Sequence, residues 1–235
     1  MTKLGIPVGD VIHPADRSSL FPMDMETAFL FMPLFNEDCD CAGGNALLTN
    51  NALFKNNHQF YDGINDYTEF ANAHIDTPTE SFAVSVGYIP HAATPPALLQ
   101  LISIGDAALG NLAWTILINA DGTPLTSCSD NGTTNNIMAG GAASVDLERP
   151  TILTYFKYGT NQEVWINGKF GKRASVPATI FNSSATLQIG RNPLVARHYS
   201  IDLFWVIVQH GDLSTASARR SYHESLLRPD LVRNV

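Results

Sequence analysis

The sequence predicts an all-β fold, an antiparallel sandwich of two sheets, and three observations indicate it. Residues 151–157 and 163–166 have strand composition, and the Asn-Gly pair at 167–168 is typical of a hairpin turn because both of its central residues need positive φ. Residues 82–88 alternate large apolar with small or polar side chains, as a half-buried strand does. Other short apolar runs, each closed by Gly, Asn, Asp or Pro, follow along the chain, which is typical of such sandwiches.

The first 25 residues contain Pro7, Pro14 and Pro22, which interrupt every candidate element. We therefore predict an extended N-terminal arm at residues 1–25. Residues 26–235 are predicted to form one domain, because a chain of 235 residues that is 45% hydrophobic can bury a full core.

Within that domain, the strands are predicted from apolar runs bounded by turn residues. The predicted strands lie at residues 27–35, 81–90, 98–104, 112–118, 185–190 and 201–208, in addition to the two at 151–157 and 163–166. The last of them is apolar apart from Asp202, so it should be covered on both faces. Residues 127–143 are rich in Gly, Ser and Asn and indicate either a long loop or a pair of weak edge strands.

After residue 208 the hydrophobic period changes from that of a strand to that of a helix. Ser214 is a suitable N-cap, Leu213 a suitable hydrophobic residue before it, and Pro229 a stop signal. We predict one C-terminal helix of about three turns.

Residues 58–70 form an aromatic segment with a tight turn at Asp62 and Gly63. The side chains predicted to pack inward around this turn are Phe60, Ile64, Tyr67 and Phe70.

Three oxygen-bearing side chains, Asp62, Asn65 and Asp66, follow one another within five residues of this segment. Such a group admits a metal ion or a sugar, so Asp62 and Asp66 are candidate metal ligands, and calcium is possible although no spacing demands it. The alternative is that these side chains cap the backbone of their own turn.

Composition excludes several classes of function. The net charge of −8 and the lack of any five-residue block of like charge argue against nucleic-acid binding. The start has no apolar signal-peptide region, and the longest apolar runs are too short to cross a bilayer, so no membrane insertion is predicted. Cys39, Cys41 and Cys128 are an odd number with no paired histidine nearby, which predicts reduced thiols and no zinc cofactor.

Four segments, in order along the chain, resemble the laminin-G-like, concanavalin A-like jelly roll. They are Phe-Leu-Phe-Met-Pro-Leu-Phe-Asn-Glu-Asp at 29–38, Phe-Tyr-Asp-Gly-Ile-Asn-Asp-Tyr at 60–67, Glu-Val-Trp-Ile-Asn-Gly at 163–168, and the ending from Leu-Gln-Ile-Gly-Arg at 187–191 through residue 220. The resemblance covers about residues 27–225 and implies a two-sheet concanavalin A-like sandwich.

The arm and the Leu-Leu-Arg-Pro ending resemble copies of this domain in bacteriophage virions. That resemblance implies a non-enzymatic structural or decoration protein of the capsid or tail surface, made in the host cytoplasm and located in the virion. It further implies a homo-oligomer whose arm at residues 1–25 contacts other virion proteins.

Enzymatic activity is not expected from the sequence. Laminarinase-type members of the fold carry a Glu-x-Asp-x-Glu strand, which this chain lacks, and it also lacks Gly-x-Ser-x-Gly and His-Glu-x-x-His motifs.

The alternative function is a lectin-like adsorption module that recognises host-surface glycans. Aromatic rings provide sugar platforms in such sandwiches, and Tyr88, Trp114 and Tyr155 are the candidate sugar-binding residues by type. Trp165 is predicted to be half core and Trp205 to be core.

Overall fold

A computed structural model describes residues 26–31, 33, 45–55, 58–71, 81–91, 99–119, 121–139, 148–192 and 197–227. Within these residues the chain forms seventeen strands, a 3₁₀ turn at Ala107–Leu109 and one α-helix. The elements are β1 (Glu26–Phe31), β2 (Leu47–Asn50), β3 (Leu53–Lys55), β4 (His58–Asp62), β5 (Thr68–Phe70), β6 (Phe82–Pro90), β7 (Leu99–Ile104), β8 (Leu112–Ile118), β9 (Pro124–Gly132), β10 (Asn136–Ala139), β11 (Thr151–Tyr158), β12 (Asn161–Ile166), β13 (Lys169–Ser175), β14 (Leu187–Ile189), β15 (Arg191–Asn192), β16 (Arg197–His198), β17 (Ser200–His210) and α1 (Ala216–Leu226).

The strands form two large antiparallel sheets and a small two-stranded ladder. The first sheet has the order β13-β12-β11-β6-β17-β4-β3, and β1 pairs with the part of β17 that β4 leaves open. The second sheet has the order β10-β9-β8-β7-β14-β5-β2, and β15 pairs with β16. The predicted all-β two-sheet class is confirmed.

The hairpins in the middle of the chain match the sequence prediction. β11 pairs with β12 across the turn at Gly159, and β12 pairs with β13 across Asn167 and Gly168. Both turn residues of that second hairpin have positive φ, +46° at Asn167 and +81° at Gly168. The Asn167 side chain also accepts a hydrogen bond from the Ile152 backbone N–H at 2.7 Å, which fixes the hairpin against its neighbour.

Residues 127–143 contain strands, one of the two predicted alternatives. β9 and β10 pair over residues 125–128 and 136–139 and form the edge of the second sheet. Asn131 caps the turn between them, because its side-chain oxygen accepts from the Thr133 and Thr134 backbone N–H groups.

The main core lies between the two sheets and consists of side chains from the inner face of each. Large aromatic rings fill its centre; those with less than 2% exposure are Phe29, Phe31, Tyr61, Phe70, Tyr88, Trp114, Tyr155 and Tyr199.

A second core lies on the outer face of the first sheet, beneath α1. Tyr222 and Leu226 of the helix pack on Phe156, Trp205 and neighbouring side chains. This cover explains why β17 is buried on both faces, as predicted, and why β6 is buried on both faces rather than half-buried as predicted. No helix in the described part of the chain is long and apolar enough to span a membrane.

Helix α1 starts one residue later than the sequence indicates. Thr215, not Ser214, is the N-cap, and its hydroxyl accepts from the Ala218 backbone N–H at 3.1 Å. Leu213 is buried before the cap, as predicted. Pro229, the predicted stop, lies outside the described residues.

A buried ion pair fixes α1 to the sheet. Arg219 Nε donates to Glu163 Oε2 at 2.9 Å, and both side chains are almost completely buried. Tyr158, Trp165 and Arg173 also donate to the same carboxylate. Desolvation would raise the pKa of Glu163, but these donors outweigh it and hold the pKa below its ordinary value.

The aromatic segment at residues 58–70 is arranged differently from the prediction. β4 belongs to the first sheet and β5 to the second, so the segment crosses between the sheets. Phe70 packs inward as predicted, but Ile64 is 75% exposed and Tyr67 is half-buried. Phe60 pairs with Asp202 on the outer face, because Tyr61 takes the inward position next to it.

Candidate functional site

The three aromatic residues predicted to bind sugar lie in the main core. Tyr88 and Trp114 are 1% exposed and Tyr155 is 0% exposed. Their rings contact other core rings, with Phe82 between Trp114 and Tyr155 and with Tyr199 beside Tyr88. The prediction of a sugar platform at these residues is corrected, because a ring enclosed by the two sheets has no face open to a ligand.

The two candidate metal ligands cap their own turn, the alternative noted from the sequence. Asp62 Oδ1 accepts from the backbone N–H groups of Ile64 and Asn65, and Asp66 Oδ2 accepts from that of Asp62. Desolvation opposes ionisation of Asp62, but the backbone donors hold its pKa below the ordinary value. Across the described segments, no group of three His, Cys, Asp or Glu side chains is arranged to hold a metal ion. Calcium binding stays a prediction.

Beside this turn, at one end of the sandwich, lie three side chains that we name the end cluster: Tyr67, Arg191 and His198. Arg191 and His198 are directly opposed in the β15–β16 ladder. The Arg191 guanidinium lies over the Tyr67 ring, 4.1 Å from its centroid, and the His198 ring is 6.4 Å from the same centroid. All three side chains are partly exposed.

Backbone contacts hold the end cluster in place. The Tyr67 backbone N–H donates to Asn51 Oδ1 at 2.8 Å, and Asn51 Nδ2 donates to the Asn65 carbonyl at 3.0 Å. His198 Nδ1 donates to the Asp66 carbonyl at 3.0 Å. The chain at Asn51 passes from β2 in one sheet to β3 in the other, so these bonds fix the cluster to both sheets.

A second group, the outer-face cluster, consists of His58, His91, Asp202 and Glu148. Asp202 lies between the two imidazoles, with Oδ1 3.2 Å from His58 Nε2 and Oδ2 3.2 Å from His91 Nε2. The other ring nitrogen of His91, Nδ1, lies 3.0 Å from Glu148 Oε2. The cluster joins the start of β4, the middle of the first sheet and the loops next to it.

The two histidines of the outer-face cluster respond differently to the shared carboxylate. Desolvation lowers the pKa of His58, and the attraction of Asp202 does not compensate for it. Desolvation also acts on His91, but its two carboxylate partners outweigh it and raise the pKa. His91 thus lies between two carboxylates, those of Asp202 and Glu148, with the Phe60 ring beside it and the Lys55 ammonium 3.5 Å from the Phe60 centroid.

The outer-face cluster lies near the turn beside the end cluster. In the β4–β17 ladder Asp202 is paired with Phe60 and Ser200 with Asp62, so Asp202 is two ladder positions from the Asp62 turn. Each cluster combines polar and aromatic groups suited to recognition by stacking and hydrogen bonding.

Sequence reasoning did not find these groupings. Asp202 attracted notice only as the one polar residue of an apolar strand, and its contacts with His58 and His91 were not predicted. The residues of each cluster come from distant parts of the chain, so no local spacing marks them.

No protein-family model and no curated relative matches the sequence. Solved structures do match in fold: the botulinum neurotoxin serotype D binding domain has a TM-score of 0.66 at 12% identity, with 85% of this chain and 51% of that chain covered. The binding domain of Paraclostridial Mosquitocidal Protein 1 has a TM-score of 0.64 at 13% identity, with 84% and 52% covered.

A third similar structure is that of botulinum neurotoxin type C, whose cell entry depends on interaction with two ganglioside molecules. Its TM-score is 0.62 at 16% identity, with 86% of this chain and 51% of that chain covered. The chain spans about half the length of these structures. At such identities the likeness shows the fold alone.

Proposed function

We propose that this sandwich is a non-enzymatic recognition module that binds glycans, and that the end cluster is its contact surface. One observation carries the proposal: the partly exposed Tyr67 ring, held by backbone hydrogen bonds at one end of the sandwich beside polar turns. This was the alternative function in the sequence analysis, now assigned to residues other than the buried rings.

The chemistry of the end cluster suits a sugar. An aromatic ring stacks on the apolar face of a pyranose, while nearby amides and charged groups bond its hydroxyls. Asn51 accepts a hydrogen bond from the Tyr67 backbone N–H, which holds the backbone of Tyr67 in place before a ligand binds. Such preorganisation lowers the conformational entropy that is lost on binding.

The structural neighbours support a binding role at a coarse level. Two of them are binding domains, and the third is of a neurotoxin whose cell entry depends on gangliosides, which are glycolipids. Because this chain spans only about half of each, what those domains bind is evidence for the kind of function and not for its position.

The test is binding of the purified chain to a glycan array, with and without calcium. We expect a specific glycan with micromolar affinity, and at least a tenfold loss for Tyr67→Ala. Phe170→Ala is the matched control, because Phe170 is an exposed ring, 51% accessible, on β13 at the far edge of the first sheet.

Three other results would redirect or overturn the proposal. An empty array would overturn glycan binding. Retained binding in Tyr67→Ala with loss in His91→Ala would move the site to the outer-face cluster. A calcium requirement would direct attention to Asp62 and Asp66.

Location in a virion is a separate proposal that rests on the resemblance of the arm and the C-terminal ending. Residues 1–25 and the ending after residue 227 lie outside the described residues, so the roles predicted for them stay predictions. A glycan-binding module and a virion surface protein are compatible. The expected result is that deletion of residues 1–25 abolishes incorporation into the particle; normal incorporation would remove the arm as the attachment device.

A further inference from the structure

The end cluster brings two basic side chains to one ring. Arg191 and His198 are cross-strand partners in the β15–β16 ladder, and both approach Tyr67. His198 Nδ1 is bonded to the Asp66 carbonyl, which leaves Nε2 as the ring nitrogen on the side away from that carbonyl.

The Arg191 guanidinium has no acidic partner among the described residues, where no carboxylate lies within 4 Å of it. Arg173 and Arg219, in contrast, both pair with Glu163. The carboxylates nearest in sequence to the cluster have other partners. Asp62 and Asp66 each accept from backbone N–H groups of their own turn. Glu69 accepts from Thr186 and Gln188, and Asp202 lies between His58 and His91. Arg191 is thus a partly buried cation over an aromatic ring with its planar set of donors uncommitted to any described acid.

A guanidinium without a carboxylate partner in the protein is well suited to bind the carboxylate of a ligand. Its parallel N–H donors match the two oxygens of a carboxylate, in a charge-assisted, bidentate pair. The Tyr67 ring beside the pair supplies the contact for the rest of a sugar.

We infer that the end cluster binds an acidic sugar, a uronic or sialic acid residue, with its carboxylate on the Arg191 guanidinium and its ring against Tyr67. This rests on the proposed glycan-binding function and names its substrate class. Neutral sugars would leave the guanidinium without its counter-ion and bind more weakly.

The experiment compares matched pairs of glycans on one array: glycans ending in a uronic or sialic acid, and the same glycans with the carboxylate converted to the neutral amide. We expect at least tenfold weaker binding to the amides. Arg191→Gln should remove that preference and Arg191→Lys should keep only part of it, since Lys retains the charge without the planar donors. Arg220→Gln is the matched control, because Arg220 is an exposed arginine on α1.

The outcomes separate this inference from the proposed function. Equal binding of acid and amide forms, or a preference for sulfated glycans alone, would overturn the acidic-sugar inference and leave glycan binding standing. An unchanged preference in Arg191→Gln, with a thermal unfolding midpoint equal to that of the wild type, would also overturn it. Absence of binding to every glycan would overturn the proposed function itself.

Discussion

At the scale of single residues, Gly87 explains how Trp205, the largest side chain of the second core, is accommodated. A Cβ on Gly87 would overlap Cε2 and Nε1 of the Trp205 indole. Gly87 is paired with Trp205 in the β6–β17 ladder, so the indole lies across the position where any other residue has a side chain.

We therefore expect Gly87→Ala to lower the free energy of unfolding by about 2 kcal/mol, because the overlap displaces a fully buried ring in a packed core. Urea denaturation measures it. The same substitution in a Trp205→Leu background should cost much less, since the two sites are in contact. An equal cost in both backgrounds would show that the clash with Trp205 is not the cause.

His223 gives the chain a pH dependence whose sign follows from burial. Desolvation lowers its pKa from the ordinary 6.5 to about 4. Its Nε2 accepts from the Gly168 N–H at 2.8 Å, and Nδ1 is 2.8 Å from Thr154 Oγ1, so the neutral ring joins α1 to the β12–β13 turn and β11.

Between pH 6.5 and 4 the unfolded chain binds a proton at His223 that the folded chain does not bind. The stability from the neutral ring is therefore complete above pH 6.5 and is lost as the pH falls toward 4, by up to about 3 kcal/mol. The measurement is urea unfolding of the wild type and His223→Gln at pH 7 and pH 4. The wild type should lose more stability than the variant, whose other titrating groups are the same; parallel losses would contradict the assignment.

At the scale of elements, the attachment of α1 depends on Arg219. Its guanidinium pairs with Glu163, donates to the Ser214 carbonyl at 3.0 Å and lies 3.8 Å from the Tyr158 ring centroid. The Arg219–Glu163 ion pair also explains why a helix with few large apolar residues remains packed on the sheet.

Arg219→Met should lower the free energy of unfolding by about 3 kcal/mol, because it leaves the Glu163 charge buried with fewer partners. Arg173→Met is the matched control: it removes a pair to the same carboxylate, but from a side chain 49% exposed, and should cost less than about 1 kcal/mol. Chemical denaturation of both variants checks the difference, and adding Glu163→Gln to Arg219→Met should recover part of the loss. Equal costs for the two arginines would contradict the role of burial.

The predictions from sequence succeeded where a local pattern determines the element. The hairpin at Asn167 and Gly168 is one case, since positive φ at both residues restricts the residue types that fit. They failed at residues 58–70, where the chain crosses from one sheet to the other and the inward position passes from Phe60 to Tyr61. A crossing between sheets changes which face is inside, and local periodicity does not encode it.

The candidate site was less predictable than the fold for a related reason. Aromatic type alone does not separate a sugar platform from a core ring, and Tyr88, Trp114 and Tyr155 proved to be core. Tyr67, the partly exposed ring of the end cluster, was predicted to point inward, and its partners Arg191 and His198 lie more than 120 residues further along the chain.

At the scale of the whole molecule, β1 connects the start of the predicted domain to both cores; the boundary predicted at residue 25 stays a prediction, because residues 1–25 lie outside the described residues. β1 begins at Glu26 and pairs with residues 206–210 of β17. Phe29 and Phe31 extend from β1 into the main core, where both contact Phe70 with ring centroids 4.9 and 5.2 Å away. Leu30 faces the opposite side and joins the core beneath α1. One short strand thus contributes to both cores.

Two deletions on either side of this boundary should behave very differently. Removal of residues 2–25 should leave the thermal unfolding midpoint close to that of the full chain, because β1 and its pairing are kept. Removal of residues 2–31 deletes three large side chains that are 0–2% exposed. Burying each such side chain stabilises a fold by about 2 kcal/mol, and β17 loses a ladder partner as well. The total is comparable with the whole stability of a typical domain, so the longer deletion should yield an unfolded or aggregated chain.

Circular dichroism and thermal melting of both forms test these expectations. A cooperative transition after the longer deletion would show that β1 is dispensable. Loss of the transition after the shorter deletion would place the domain boundary within residues 1–25.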